Sequence, residues 1–326
     1  MKPTFIVRQV LAAAALAALA PVVSAADAPF PTRPIRLVLT VGTGGVGDIS
    51  NRVVAQHMSK NMGQQVVVDN RPSAGGVAAA QAVARAEPNG YTLLQTGNGF
   101  AISASLFKSL PYDVLKDFTQ VSTVAFFQMA LVTTPKSGYG SLGDLITFAR
   151  SNPGKLNIGT INVGSTQYLS AEMFKSMARI DAQTVPFKSN TLLITALRGD
   201  ELRVAFELVG PVLSHIQSST LKALAVGSAR RFPGLPDVPT IAESGVPGFD
   251  VYSWTGISVP ARTPRPIVER LAREVAKAAA VPEVRQTLQE IGIEARASTP
   301  EEMRKLMASD ISRWRKVIEQ AKIERQ

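Results

Sequence analysis

The sequence of 326 residues contains no cysteine and only two histidines, His57 and His215. The lack of cysteine excludes a thiol nucleophile, a cysteine-based zinc site and an iron–sulfur cluster. With two histidines far apart in the chain, we expect neither a Ser-His-Asp triad nor a His-rich metal site. Charged residues make up 18% and hydrophobic residues 45% of the chain. This balance excludes a disordered chain, and the length fits two domains of roughly 100–200 residues each.

Long apolar runs are scarce, and the most pronounced one lies at the N-terminus. Lys2 and Arg8 precede an apolar run from Val10 to Val23, and small residues follow it. This pattern predicts that residues 1–25 form an export signal cleaved near Ala25 and that the product is periplasmic. The alternative is a membrane anchor, but the run is shorter than the ~20 residues that a spanning helix needs.

Acidic residues are in the minority, since the formal net charge is +10. Removal of the predicted signal, with Lys2 and Arg8, lowers this charge to +8. A basic balance favours anionic partners, but the lysines and arginines are scattered and no aromatic-and-basic RNA-binding motif occurs. We therefore expect no nucleic-acid partner and interpret most of this charge as a solvated surface.

Short β-branched runs alternate with helical stretches along the rest of the chain. The first pair is a predicted strand over Ile35–Val41 and an amphipathic helix over Ile49–Met62. A long alternation of this kind predicts an α/β architecture with mainly parallel sheets. Residues 110–135 and 232–266 are extended and rich in turns, as expected for chain crossings between two domains.

Two crossings in one chain predict two lobes joined by a hinge. We assign residues 26–127 and 250–326 to lobe 1 and residues 128–249 to lobe 2. The expected fold is therefore α/β with two lobes, and the hinge is crossed twice.

A glycine-rich loop follows the first predicted strand. Residues 42–47 match G-x-G-x-x-G, and Asp69 ends the second strand, as in dinucleotide-binding folds. However, Asp69 lies 27 residues after Gly42 rather than about 20, and an exported protein has little access to nicotinamide cofactors. We expect no cofactor, but an anion site remains, because glycines let backbone N–H groups approach a ligand at a helix N-terminus. Thr43 and Gly44 are the candidate contacts.

A second loop, residues 157–164, has the same physical properties. It leads into Ser165 and Thr166, either of which can cap the following helix and direct a hydroxyl out of its N-terminus. A plain helix cap is the alternative. Because this loop falls in the predicted lobe 2 and the glycine-rich loop in lobe 1, opposed helix N-termini would clamp a carboxylate across a cleft.

Further polar residues have both a structural and a functional interpretation. Asp48 is favoured by the helix dipole in a first turn, or it orders the loop or binds a ligand amine. Thr96 and Asn98 follow the third strand, at the edge where α/β proteins bind ligands. Glu207 is either a cleft residue or the surface end of a strand. We expect Trp254 to pack in the interior rather than stack on a ligand.

The order and spacing of several short motifs resemble the Bug-type receptors, the periplasmic solute-binding proteins of tripartite tricarboxylate transporters. The resemblance covers nearly the whole chain after Pro31. The motifs that carry it are Arg33-Pro-Ile-Arg36, Asn70-Arg-Pro-Ser-Ala-Gly-Gly76, Pro88-Asn-Gly-Tyr-Thr-Leu-Leu94, Leu110-Pro-Tyr-Asp113, Gly164-Ser-Thr-Gln167, Leu235-Pro-Asp-Val-Pro-Thr240, Gly245-Val-Pro-Gly-Phe249 and Thr263-Pro-Arg-Pro-Ile-Val-Glu-Arg270.

The resemblance implies a two-lobe Venus-flytrap protein of the type II-like class, without catalysis, whose ligand is a carboxylate held by the two loops partly through water. Family members usually have two prolines where this chain has Gly42-Thr43, which predicts a roomier first loop. The candidate ligand-binding residues are Thr43, Gly44, Asp48, Thr96, Asn98, Gly164, Ser165, Thr166, Gln167 and Glu207.

The leading interpretation is a monomeric receptor that captures a small carboxylate and presents it to membrane transporter subunits or to a sensor. The alternative is an exported α/β enzyme, either a hydrolase or an oxidoreductase. Against hydrolysis, the chain has no G-x-S-x-G elbow and neither histidine lies near a candidate nucleophile.

Overall fold

Strands and helices alternate from Ile35 to Gln320. A computed structural model describes residues 30–326, so the predicted signal lies outside the described residues. All elements below belong to Arg33–Gln326, which group as one unit. The strands are β1 Ile35–Leu39, β2 Val66–Asn70, β3 Thr92–Gly97, β4 Phe118–Thr133, β5 Leu156–Ile161, β6 Ala182–Phe187, β7 Val204–Leu208, β8 Lys222–Val226, β9 Tyr252–Pro260 and β10 Ile293–Ala295. The helices are α1 Val46–Met62, α2 Val77–Ala84, α3 Asn98–Leu106, α4 Leu142–Ser151, α5 Thr166–Ala178, α6 Asn190–Arg198, α7 Val209–Gln217, α8 Arg265–Ala280, α9 Pro282–Glu290 and α10 Pro300–Gln320.

The strand pairing is mixed, which corrects the expectation of mainly parallel sheets. β1 pairs in parallel with β2 and β3, and β5 pairs in parallel with β6 and β7. By contrast, β9 is antiparallel to both of its neighbours, β3 and β4, and β4 is also antiparallel to β7, β8 and β10. The βαβ pattern predicts only the parallel pairs, because antiparallel pairing between distant segments leaves no local signature.

Strand β4 connects two groups of strands. Its residues up to Gln128 pair with β9, and Phe126 also lies opposite β10. From Met129 onwards it pairs with β7 and β8 instead. One group therefore contains β2, β1, β3, β9 and β10, and the other contains β6, β5, β7 and β8. Whether these groups act as two lobes with the predicted boundaries stays a prediction.

The direction of β4 brings the carboxyl ends of both groups together. β4 runs in the direction of β3, since each is antiparallel to β9. It runs against β7, and Met129 lies opposite Leu208, the last residue of β7. β4 thus leaves the first group at the carboxyl edge of β1 and β3 and enters the second at the carboxyl edge of β5 and β7. Ligands of open α/β sheets bind at such edges.

The two regions predicted as crossings contain both strand and turn structure. Strand β4 takes up 16 residues of 110–135, and in the return region mainly turns and irregular backbone precede β9, which begins at Tyr252. Trp254 on β9 is 2% exposed, and its Nε1 donates to Asp310 Oδ2 at 2.7 Å. The expectation that it packs in the interior is therefore confirmed. Among the helices within residues 30–326, none has the length and apolar character that a membrane crossing requires.

Gly97 lies where β3 approaches β9 too closely for any side chain. A Cβ at this position would lie 2.2 Å from the carbonyl oxygen of Trp254. We predict that Gly97→Ala lowers the free energy of unfolding by about 1–3 kcal/mol or more, because the backbone of β9 must move. Gly99→Ala is the matched control, since a Cβ there meets nothing within 4 Å. Urea unfolding of the two variants checks this, and equal stabilities would contradict it.

Candidate functional site

Four helix N-termini lie at the two facing carboxyl edges. They begin at Val46, Asn98, Thr166 and Val209, after β1, β3, β5 and β7 respectively. Each helix start presents backbone N–H groups without an intrahelical partner and carries about half a positive charge. Several such ends around one space favour an anion.

Two close contacts join the two strand groups beside these helices. A Cβ on Gly210, in the first turn of α7, would lie 3.0 Å from Val46 Cγ1 at the start of α1. A Cβ on Gly164, before α5, would lie 2.4 Å from Leu106 Cδ2 at the end of α3. Elements of the first group therefore abut those of the second at two places, near α1 and near α3. Gly164, with φ +81°, holds one of these contacts because only glycine fits there.

The first group leaves open room in front of its two helix ends. At Gly42, Gly44 and Gly45, which precede α1, a Cβ would meet nothing within 4 Å. The same is true of Gly99 in the first turn of α3. A ligand can approach the backbone at all four positions.

The carboxylate of Asp48 braces the glycine-rich loop. Its Oδ2 accepts a hydrogen bond from Gly44 N at 2.9 Å, and its Oδ1 accepts from Arg52 Nε and Asn70 Nδ2, both at 2.9 Å. Asn70 Nδ2 also donates to Val41 O at 3.0 Å, at the end of β1. Burial acts to raise the pKa of Asp48, but these hydrogen bonds outweigh it and lower the pKa below its usual value.

These hydrogen bonds determine which polar groups of Thr43, Gly44 and Asp48 remain available to a ligand. Asp48 is 3% exposed and meets three donors from its own chain, so the geometry favours the ordering role. Gly44 already donates its N–H to Asp48, which leaves its exposed backbone face for van der Waals contact. Thr43 is exposed, and no described residue forms a hydrogen bond with its hydroxyl. Ligand contacts by these three residues stay predictions.

The second loop ends in a helix cap. Ser165 Oγ accepts from Tyr168 N at 3.0 Å and donates to Ile161 O at 2.6 Å, so its hydroxyl is committed within the chain. Thr166 is 7% exposed, and within residues 30–326 its hydroxyl has no hydrogen-bond partner. The cap interpretation therefore accounts for Ser165, while Thr166 has the free hydroxyl.

Gln167 and Glu207 form a buried pair between α5 and β7. Gln167 Nε2 donates to Glu207 Oε1 at 2.9 Å, and Leu208 N donates to the same oxygen at 2.7 Å. Glu207 is fully buried, and its Oε2 has no partner within the described residues. Burial raises the pKa of Glu207 to about 7, although both hydrogen bonds act to lower it. Glu207 is thus an interior group rather than the surface end of a strand, and its place beside a ligand stays a prediction.

Thr96 and Asn98 take different positions at the end of β3. Thr96 is fully buried, and its hydroxyl lies 2.9 Å from the hydroxyl of Ser258, so contact with a ligand stays a prediction that this geometry does not favour. Asn98 Nδ2 donates to Tyr252 O at 3.3 Å, while its Oδ1 is buried without a partner in the described part of the chain. Asn98 therefore retains an unused acceptor at the start of α3.

Several residues that support the site carry no sequence signal. Gln95 Oε1 accepts from Thr40 Oγ1 at 2.7 Å, and Gln95 Nε2 donates to Thr255 Oγ1 at 2.9 Å. Asn51 on α1 donates to the same Thr255 oxygen at 3.2 Å. This buried network fixes α1 against the ends of β3 and β9. Asn70 is the exception. It ends β2 beside the end of β1, and this position could have indicated its bracing role from the sequence.

Asp69, the acidic residue of the dinucleotide fingerprint, pairs with Arg71 at 2.8 Å on the surface. No three acidic or histidine side chains within residues 30–326 are grouped so that they could hold a metal ion. The arrangement can therefore bind and orient an anion through N–H groups, hydroxyls and amides.

The chain is similar to proteins of one receptor family, in sequence and in structure. The family described as "Tripartite tricarboxylate transporter family receptor" matches residues 50–323. Protein BugT of Bordetella pertussis is 34% identical over 277 residues, which are 84% of this chain and 85% of BugT. The structure "R. palustris Rpa4515 with adipate" is similar with a TM-score of 0.79 and 33% identity, covering 90% of this chain and 99% of that chain. The structure of MatC from Rhodopseudomonas palustris with bound malate has a TM-score of 0.75 and 30% identity, covering 89% and 100%.

The two hydroxyls of the second loop are expected to differ in their effect on stability. Ser165→Ala removes a cap and should lower the free energy of unfolding by about 1 kcal/mol. Thr166→Val replaces a hydroxyl without a protein partner by a methyl group of similar size, so the change should stay within about 0.5 kcal/mol. Urea unfolding of both variants measures this, and a larger loss for Thr166→Val would show that its hydroxyl is structural.

Glu207 is expected to make stability depend on pH. Because its pKa is about 7 in the folded protein and 4.5 without the fold, the folded state binds the extra proton between these values. Stability should therefore fall as pH rises from about 4.5 to 7 and level off above. Glu207→Gln removes the titration, and we expect it to flatten this slope and to be more stable than the parent at pH 8.

The matched control for that experiment is Glu269→Gln, at a more exposed carboxylate on α8. Urea unfolding at pH 5, 6, 7 and 8 compares the three proteins. If Glu207→Gln keeps the slope of the parent, the pH dependence arises from another group.

Proposed function

Since the chain belongs to the tripartite tricarboxylate transporter family receptors, we propose that it captures a small carboxylate between the four helix N-termini. The observation that carries the proposal is that these N-termini lie at the two carboxyl edges that β4 brings together, with open room before α1 and in the first turn of α3. Solved structures similar to this chain contain adipate and malate, both small dicarboxylates. We extend that ligand class to this protein.

Backbone dipoles rather than side-chain cations supply the positive potential. The ten candidate residues include no lysine or arginine, and Arg52 is engaged with Asp48. An anion at the site would therefore be bound by N–H groups at the starts of α1, α3, α5 and α7. The hydroxyls of Thr43 and Thr166 and the amide of Asn98 provide further polar contacts. The charge of +8 after signal removal would attract anions from solution.

The receptor role implies motion and a partner. We propose that residues 26–127 with 250–326 and residues 128–249 act as two lobes, with the hinge at the passage of β4 from one strand group to the other. Closure would exclude water from the carboxylate and present a closed surface. The proposed partners are membrane subunits of the transporter, or a sensor, and the proposed location is the periplasm. In this role the protein is a monomer that releases its ligand unchanged.

The first loop also bears on ligand size. Gly42 and Thr43 stand where relatives of this type usually have two prolines, and the space around Gly42 is open. The larger space beside the first loop would admit aliphatic dicarboxylates of several chain lengths. A calorimetric series from malate to adipate on the mature protein would rank them.

A side chain at Gly99 is expected to block the site without damaging the fold. Gly99→Leu places a large group in open space in the first turn of α3, so stability should be kept while binding of malate or adipate falls at least tenfold. Gly143→Leu, also at the second residue of a helix and also without a close contact, is the matched control and should bind as the parent does. Calorimetry measures affinity, and thermal melting confirms that each variant is folded.

Two results would contradict the proposal. Equal affinity of Gly99→Leu and the parent would place the ligand elsewhere. Absence of binding by the parent for all dicarboxylates of four to eight carbons would refute the ligand class. Adipamide, which lacks the two negative charges of adipate, should bind neither the parent nor Gly99→Leu.

A further inference from the structure

A cavity lies where the chain passes between the two strand groups. Its volume is about 420 Å³, and none of the ten candidate residues lines it. It is bounded by residues 126–128 of β4, residues 228–233 after β8, and the start of β9 at Tyr252. Arg296, which follows β10, completes it. We call this cavity the hinge pocket. Its volume suits a small organic molecule.

The hinge pocket combines aromatic rings with a stacked guanidinium group. The rings of Phe126 and Tyr252 lie 5.2 Å apart between centroids, tilted by 57°. The guanidinium carbon of Arg296 lies 3.4 Å from the centre of the Phe126 ring. One face of this guanidinium is therefore covered, and its side chain remains 49% exposed. Flat groups stack well on arginine and on aromatic rings.

The pocket also holds cationic groups that are not fully neutralised. Arg230 is exposed and forms no ion pair with any residue in the range 30–326. Among the described residues, Arg296 forms an ion pair only with Glu294, at 3.6 Å. The side chain of Glu294 is 53% exposed, and such surface pairs contribute little. Arg231 is engaged with Glu243 at 3.0 Å. Asp250 accepts from Ala229 N at 3.0 Å, which ties its carboxylate to the backbone. Arg230 therefore remains available for an anion.

We propose that the hinge pocket is a second binding site, separate from the cleft, for a small aromatic carboxylate. The ring of the ligand would stack among Tyr252, Phe126 and Arg296, and its carboxylate would pair with Arg230. An aliphatic dicarboxylate fits less well, since it offers no flat surface to the stacked groups. The inference does not depend on the identity of the cleft ligand.

The segments around this pocket are tied together by Gln128. Gln128 Nε2 donates to Ser228 Oγ at 2.6 Å, and Gln128 Oε1 accepts from Ser228 N at 3.1 Å. Ser228 Oγ in turn donates to Arg230 O at 2.5 Å. These bonds join the crossing point of β4 to the segment that carries Arg230. A ligand seated there would contact both strand groups, so under the proposed two-lobe motion its binding would be coupled to the hinge angle.

Benzoate is the probe that tests the hinge pocket. We expect calorimetry of the mature protein to show benzoate binding at one site, and weaker binding of cyclohexanecarboxylate, which has the charge but no aromatic ring. Arg230→Gln should weaken benzoate binding about tenfold or more, because a charge-assisted hydrogen bond is lost. Tyr252→Leu should weaken it as well while keeping the charge.

Two control variants locate the binding. Arg198→Gln changes another exposed arginine of residues 128–249 and should leave benzoate affinity unchanged. Gly99→Leu, which blocks the cleft, should also leave it unchanged, so failure of the cleft proposal and of the hinge pocket are distinguishable. Benzoate binding that survives Arg230→Gln and Tyr252→Leu but is lost in Gly99→Leu would overturn the inference, as would no benzoate binding at 10 mM.

Discussion

The course of β4 is the constraint on which the site depends. One strand of 16 residues pairs with β9 and then with β7, and the switch occurs within two residues. Because the strand is continuous, the carboxyl edges of both groups must meet near Gln128. The four helix N-termini follow from this placement, since each helix begins where a parallel strand ends. The loops of the site are thus fixed by backbone pairing rather than by contacts among themselves.

The sequence predicts those helices and strands that are marked by residues close together in the chain. The predicted strand that starts at Ile35 and the predicted helix that ends at Met62 are both present, although the helix begins at Val46 rather than at Ile49. The starts of α3 and α7 carry no such signal, because each helix follows directly on a strand and neither has a side-chain cap. The antiparallel role of β4 was also missed, since its partners lie more than 70 residues away in the chain.

The site shows the same division between local and distant interactions. Ser165 and Asp48 lie where helix-start rules place polar side chains, and the structure uses both to order their loops. The partners that complete these arrangements could not be predicted, because Gln95 meets Thr255 across 160 positions and Gln167 meets Glu207 across 40. For Glu207 the sequence is compatible with two interpretations, since burial is a property of the fold and not of a single strand.

The hydrogen bond from Gly44 to Asp48 bears on the thermodynamics of capture. A loop with four glycines among residues 42–47 has much conformational entropy to lose. Here the bracing carboxylate restrains the loop when the protein folds, before any ligand arrives. The entropic cost of ordering the loop therefore reduces the free energy of folding and does not reduce the free energy of ligand binding. A receptor built this way meets its ligand with the backbone already in position, so differences in affinity between ligands reflect their contacts rather than the work of shaping the loop.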